Sequence, residues 1–170
     1  DHSDLSREDA EMIKELASLS DKVSYEVVDA VPGKEHTIAI LNDKKEEAGL
    51  RFHGVPGGHE FNSFILAMYN VAGPGQDVGE ALQKRIDSID TSKALTIAVS
   101  LSCTMCPDLV AAAERIAADN PNVTVDVYDL AHYPELQKKW NIMSVPCLIV
   151  NDKDVHFGKK GGEGILDMLK

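Results

Sequence analysis

Along this chain, apolar residues recur at helical spacing in some stretches and alternate with polar ones in others, a pattern that predicts a mixed α/β protein. Met12, Ile13, Leu16, Ala17 and Leu19 form the stripe of a first helix, opened by capping-type residues around Asp4, Ser6 and Asp9 and ending near Ser20. Residues 23–28 alternate as a strand, 31–34 read as a loop and 36–41 as a second strand. A charged turn, Asn42-Asp43-Lys44-Lys45, precedes a short third strand at 50–53. Gly54-Val55-Pro56-Gly57-Gly58 leads into a helix with Phe61, Phe64, Ile65, Met68 and Val71 on its apolar positions. Gly73-Pro74-Gly75 breaks that helix, and an amphipathic one follows over 77–89 with Val78, Leu82 and Ile86 on one face.

The second half opens on 94–99, a β-branched apolar run that reads as a buried strand, and continues into a helix over 107–119 carrying Leu109, Val110, Ala113, Ile116 and Ala117. An alternating strand at 122–128, a short helix at 133–140, a buried strand at 146–150, a turn, a return strand at 155–157 and a last helix with Ile165, Leu166 and Leu169 complete it. The order β-α-β-α-β-β-α describes a mixed sheet with helices on its faces.

The halves echo one another. Lys22-Val23-Ser24-Tyr25-Glu26-Val27-Val28-Asp29 matches Asn122-Val123-Thr124-Val125-Asp126-Val127-Tyr128-Asp129, and Ile40-Leu41-Asn42-Asp43-Lys44 matches Ile149-Val150-Asn151-Asp152-Lys153. Phe52-His53-Gly54 with Gly57-Gly58 parallels Phe157-Gly158 with Gly161-Gly162. Either short β-turn-β segments coincide by chance, or two copies of one unit occupy residues 1–92 and 93–170. On the second reading the first copy lacks an opening strand, and the chain, which begins at Asp1 without a Met, starts inside it.

Charge narrows the function classes. A net charge of -11 would repel nucleic acid and anionic membrane, and no apolar run approaches the roughly 20 residues that span a bilayer. Three cysteines with one close pair are not a secreted disulfide framework, so a cytoplasmic location is expected.

That close pair is the candidate chemistry. Ser102-Cys103-Thr104-Met105-Cys106-Pro107 stands where a strand turns into a helix. Pro107 suits a first helical turn, and the free N–H groups and positive end of the helix favour a thiolate. Two intervening residues let both sulfurs share that turn, Cys103 outward as nucleophile and Cys106 covered as resolving thiol. Half of a metal site and two inert thiols are the other readings; no second CxxC or His pair completes four zinc ligands. Pro146, in Ser144-Val145-Pro146, precedes a buried strand where it supplies no ladder N–H; a cis peptide there would turn the Val145 backbone toward the cysteines. Cys147 reads either as a small apolar core residue or as a third, modulating thiol. Glu60 near a helix N-terminus is either a favourable first-turn carboxylate or a proton partner facing the cysteines across the two units. His59 reads as solvated, and His156, Trp140 and Tyr128 as fillers. No G-x-G-x-x-G links a strand to a helix, so the chain carries no dinucleotide site of its own.

In this setting residues 93–170 resemble a thioredoxin fold, and nearly the whole chain resembles the N-terminal domain of the alkyl hydroperoxide reductase flavoprotein subunit, two tandem thioredoxin-like folds of which only the second keeps its CxxC. The resemblance is carried by Leu19-Ser20-Asp21-Lys22-Val23, Arg51-Phe52 with Gly54, Gly58-His59-Glu60-Phe61, Ser100-Leu101-Ser102-Cys103 with Cys106-Pro107-Asp108, Asn120-Pro121-Asn122 and Val145-Pro146. It implies a thiol-disulfide oxidoreductase that takes electrons from a flavoprotein disulfide reductase and passes them to a peroxiredoxin-like acceptor. FAD and NADH would sit on a separate or missing module, with no cofactor or metal in this chain. It further implies Cys103 as interchange nucleophile, Cys106 as resolving thiol, Glu60 as acid/base partner and Pro146 in cis. Thr104-Met105 stands where the family typically has His-Asn, and Cys147 where it usually has a non-thiol residue. The rival from another class is a non-catalytic, redox-sensitive or metal-delivery binding module.

Overall fold

The computed structural model describes residues 4–29, 32 and 35–170. Helix α1 (Asp4–Ser18) is followed by strands β1 (Thr37–Leu41) and β2 (Glu47–His53), a single 3-10 turn (Gly58–Glu60), and helices α2 (Phe61–Ala72) and α3 (Glu80–Asp87). Strand β3 (Lys93–Val99), helix α4 (Cys106–Asp119), strand β4 (Val123–Asp129) and helix α5 (Pro134–Trp140) come next. Strands β5 (Cys147–Val150) and β6 (Asp154–Phe157) and helix α6 (Gly162–Met168) close the chain.

Among the described residues six strands join one mixed sheet in the order β1-β2-β4-β3-β5-β6. At its centre β3 and β4 run parallel, β5 and β6 add antiparallel on one side, and β2 pairs parallel with β4 on the other. Leu50 stands opposite Val125 and Phe52 opposite Val127, so the two halves share one continuous surface. Two of the three echoes in sequence fall on equivalent pieces: β1–β2 and β5–β6 are hairpins at opposite edges, and each leads through a glycine pair into a helix, whereas 22–29 and 122–129 do not correspond.

Alternation sorts the strand residues onto two faces. One face packs Leu50, Phe52, Leu95, Ile97, Val125, Val127 and Leu148 under Ala67 of α2, Ile86 of α3, Leu109, Val110, Ala113 and Ile116 of α4, and Ile165 of α6. The other packs Ala98, Cys147 and Ile149 with Ile142, Leu136 and Trp140. Toward the β2 side of that second face, the His53 ring stacks on Tyr128 with centroids 4.0 Å apart, and Tyr133 meets both edge-on. His53 Nδ1 lies 2.9 Å from Thr37 Oγ1 and its Nε2 2.7 Å from Asp126, which also pairs with Arg51. Tyr128 is therefore no filler: it belongs to a polar and aromatic knot tying β1 and β2 to β4.

Three expectations need correction. Residues 23–28 form no strand: they carry no ladder bonds, and Val27 and Val28 are 72% and 74% exposed. Their alternation is real, but a strand exists only by pairing, and no neighbouring strand among the described residues meets this stretch. The third helix starts at Glu80, because Asp77 accepts the Gly79 N–H and Gly79 takes φ +79°, a left-handed conformation that stops the helix extending backward. Strand β2 begins at Glu47, earlier than the apolar run suggests, because hairpin pairing with β1 extends it. Of the expected loop at 31–34, residues 31, 33 and 34 lie outside the described residues.

Candidate active site

Strand β3 runs at the middle of the sheet and delivers the chain to residues 100–105, which turn directly into α4. Cys103 and Cys106 are joined there as a disulfide, with Cα atoms 5.6 Å apart. The turn treats its two sulfurs differently. Cys106, on the first helical turn beside Pro107, is fully buried; Cys103 is half-buried and reaches the surface. The Cys106 backbone N–H points at Cys103 Sγ at 3.1 Å, so a thiolate on Cys103 would meet a helix-end donor and the positive end of the α4 dipole.

The loop before β5 closes the opposite wall. Val145–Pro146 is a cis peptide, and the Val145 carbonyl oxygen lies 4.0 Å from Cys103 Sγ. Pro146 itself is buried. Met143 is 82% exposed, and Met105 between the cysteines is 52% exposed. Two polarizable apolar side chains thus stand in solvent, one on each loop that brackets Cys103.

Glu60 arrives from the first half. The 3-10 turn docks on the cysteine loop: the His59 N–H donates to the Leu101 carbonyl at 3.0 Å, while the His59 side chain stays exposed. Close approach requires Gly58, whose φ is +52° and where a Cβ would stand 2.6 Å from the Leu101 oxygen. The Glu60 side chain is 0% exposed. Ser63 Oγ donates to its Oε2 at 2.5 Å, and its Oε1 has no partner. Burial pushes this carboxyl up to about 7, against a smaller downward pull from the Ser63 hydrogen bond. A first-turn carboxylate in solvent does none of this. Glu60 is a buried acid poised to gain or lose a proton near neutral pH.

Cys147 resolves the other way. It opens β5 opposite Ala98, within the core on the far face of the sheet, whereas both bridged cysteines belong to the near face. Burial pushes its thiol up to about 11. Among the described residues no three His, Cys, Asp or Glu side chains gather into a group that could hold a metal.

One buried acid escaped the sequence reading. Glu114, on α4, is 3% exposed and held well above the ordinary carboxylate range, first by burial and then by the negative charge of Glu60. A signal was present: it follows Val110 by four residues and precedes Ala117 by three, inside the apolar stripe of its helix. Asp9 of α1 is a second such acid, pushed to about 8 by burial and by Glu8, away from the disulfide.

A family profile described as a thioredoxin domain matches residues 93–169. The crystal structure of the N-terminal domain of the alkylhydroperoxide reductase AhpF from Enterococcus faecalis superposes with a TM-score of 0.91 at 36% identity, covering 99% of this chain and 86% of that one. The corresponding alkyl hydroperoxide reductase protein of Pseudomonas aeruginosa is 32% identical over 166 residues, 98% of this chain and 32% of its own length. A protein of Bacillus subtilis named NADH dehydrogenase is 32% identical over 163 residues, 96% of this chain and 31% of its own. The chain thus spans about a third of the length of the curated relatives it matches.

Proposed function

The chain belongs to the family of the N-terminal domain of the alkyl hydroperoxide reductase AhpF, and on that premise we propose that it is a dithiol carrier between a flavoprotein disulfide reductase and a peroxiredoxin-type disulfide. The observation that carries the reading is the asymmetric Cys103–Cys106 disulfide at the N-terminus of α4, one sulfur reachable and the other sealed.

In the reduced chain, Cys103 is the thiolate, favoured by the Cys106 N–H and the helix end. It attacks a partner disulfide, forming a mixed disulfide and releasing the partner's other sulfur as a thiolate. The Val145 carbonyl and the exposed Met143 and Met105 side chains flank the bond being made, and are suited to holding a partner's extended backbone and apolar side chains. Glu60 then takes the Cys106 proton. The Cys106 electron pair forms the bond to Cys103, and the mixed disulfide breaks with its pair leaving on the partner. Two electrons have moved, and the disulfide seen in the structure is restored. Within this division of labour, residues 93–170 carry the exchange and residues 1–92 supply Glu60 and part of the docking surface.

FAD and NADH belong to a module outside this chain. Among the described residues no G-x-G-x-x-G turn links a strand to a helix, Gly73 and Gly75 standing between two helices. No step of the exchange runs through either group. A cytoplasmic location accords with a chemistry that needs its dithiol kept reduced; among the described residues no helix is long and apolar enough to cross a membrane.

The test is a coupled assay with NADH, a flavoprotein disulfide reductase and a peroxiredoxin. Cys103→Ser is expected to abolish turnover, and Cys106→Ser to accumulate a mixed disulfide visible by mass spectrometry. Full turnover by Cys103→Ser would overturn the reading.

A further inference from the structure

Glu114 has no part in the exchange as described, yet its place is costly. Its Oε2 lacks a hydrogen-bond partner, as does Glu60 Oε1. Helix α4 packs against both the 3-10 turn and α2, and the charge of Glu60 acts on Glu114 across that contact. Among the described residues no cation compensates them. On α4 itself, Arg115 is taken by Asp119 and the Gln76 carbonyl, and Asp108 pairs with Lys159. On α3, Arg85 pairs with Asp167 of α6 and Lys84 with Glu80. Arg51 and His53 of β2 turn to Asp126 on the far face, and Asp129 of β4 lies near His132. Lys93 sits at the far start of β3, Glu163 of α6 and His59 of the 3-10 turn are exposed, and α2 offers Ser63 and the exposed Tyr69.

Two adjacent buried carboxyls without a cation do not both ionise; the pair keeps at least one proton. Glu114, held up by burial and by the charge on Glu60, keeps it. When Glu60 ionises, it therefore faces a neutral acid with an O–H to give rather than a second negative charge. A proton between them is the donor that both orphaned oxygens lack.

We propose that Glu114 is a positioning residue that keeps its proton and donates its O–H to the Glu60 carboxylate, holding that carboxylate ready to take the Cys106 proton. The pair then carries one proton before Cys106 is deprotonated and two afterwards. Glu114 loses nothing in the step; the S–H bond of Cys106 breaks and an O–H bond forms on Glu60. This inference rests on the reading of Glu60 as the acceptor.

Reaction of the reduced full chain with 5,5′-dithiobis(2-nitrobenzoate) tests it. Release of the second thionitrobenzoate reports the attack of Cys106 on the mixed disulfide, and its rate is followed from pH 5 to 9. The wild-type rate rises through a limb near the Glu60 value of about 7. Glu114→Leu removes the donor, so the limb moves up by about one pH unit and the rate at pH 7 falls about fivefold. Glu114→Gln restores an N–H donor and returns the limb toward wild type, and Glu60→Gln flattens it. Glu114→Met replaces the leucine variant if leucine packs too poorly to fold. A wild-type limb in Glu114→Leu, or equal shifts in the Leu and Gln variants, would overturn the role of Glu114 while leaving Glu60 in place. An unchanged limb in Glu60→Gln would remove the acceptor itself, and this inference with it.

Discussion

At the scale of single residues, the site depends on how close a backbone can come. Gly58 lets the 3-10 turn press its backbone against the Leu101 carbonyl, and this contact docks the turn that carries Glu60 on the cysteine loop. Gly58→Ala places a Cβ in a left-handed conformation and against a main-chain oxygen that has little freedom to yield. A loss of about 1–3 kcal/mol is expected from that strain. The distinguishing readout is exchange: lifting the turn lets water reach Glu60, so the pH limb of thiol exchange should move below its wild-type position of about 7. A limb that stays in place in a destabilised Gly58→Ala chain would mean Glu60 does not depend on the turn for its burial. Cys147 illustrates the opposite case: next to Pro146 in the chain, it opens β5 and packs on the face of the sheet away from the disulfide.

At the scale of elements, α4 does three things with one sequence. Its N-terminus presents the sulfurs, its apolar stripe carries the near-face core, and one position of that stripe is given to Glu114. Residues 23–28 are a counter-example, in which strand-like alternation meets no partner. Because Val27 and Val28 are solvent-exposed, Val27→Lys and Val28→Lys should each alter stability by no more than about 0.5 kcal/mol. Thermal melts of the two variants check this, and a loss above about 1 kcal/mol in either would show that the stretch buries its valines in solution.

At the scale of the whole molecule, three acids, Asp9, Glu60 and Glu114, hold protons more tightly folded than unfolded, each chiefly because of burial. Between about pH 4 and pH 8 the native state binds more protons than the unfolded chain, so stability falls as pH rises. For Glu60 the rise from 4.5 to about 7 amounts to on the order of 3 kcal/mol, present in full below pH 4.5 and gone above pH 7. Repulsion within a chain of net charge -11 has the same sign. Urea midpoints should therefore drop from pH 5 to pH 8, and the Asp9→Asn, Glu60→Gln double variant should flatten the slope while keeping the part due to net charge. A wild-type midpoint that rises with pH over that range would contradict the account.

Local chemistry made much of this protein legible from sequence. The strand–CxxC–helix turn, the order of the second half, both hairpins and the breaks at glycine and proline follow from periodicity, β-branching and the few conformations a short turn allows. Even the division between a surface Cys103 and a covered Cys106 follows from two residues of spacing on a helical turn. Other features depended on neighbours far away in sequence. Pairing alone decides whether an alternating segment is a strand, which is why 122–128 became β4 and 23–28 became none. Burial alone separates Glu60 from any first-turn glutamate, and burial is contributed by Leu101, Ser63 and α4, each distant or invisible in local pattern. Proton affinity follows desolvation and neighbouring charge, properties of a folded interior that no stretch of chain possesses by itself.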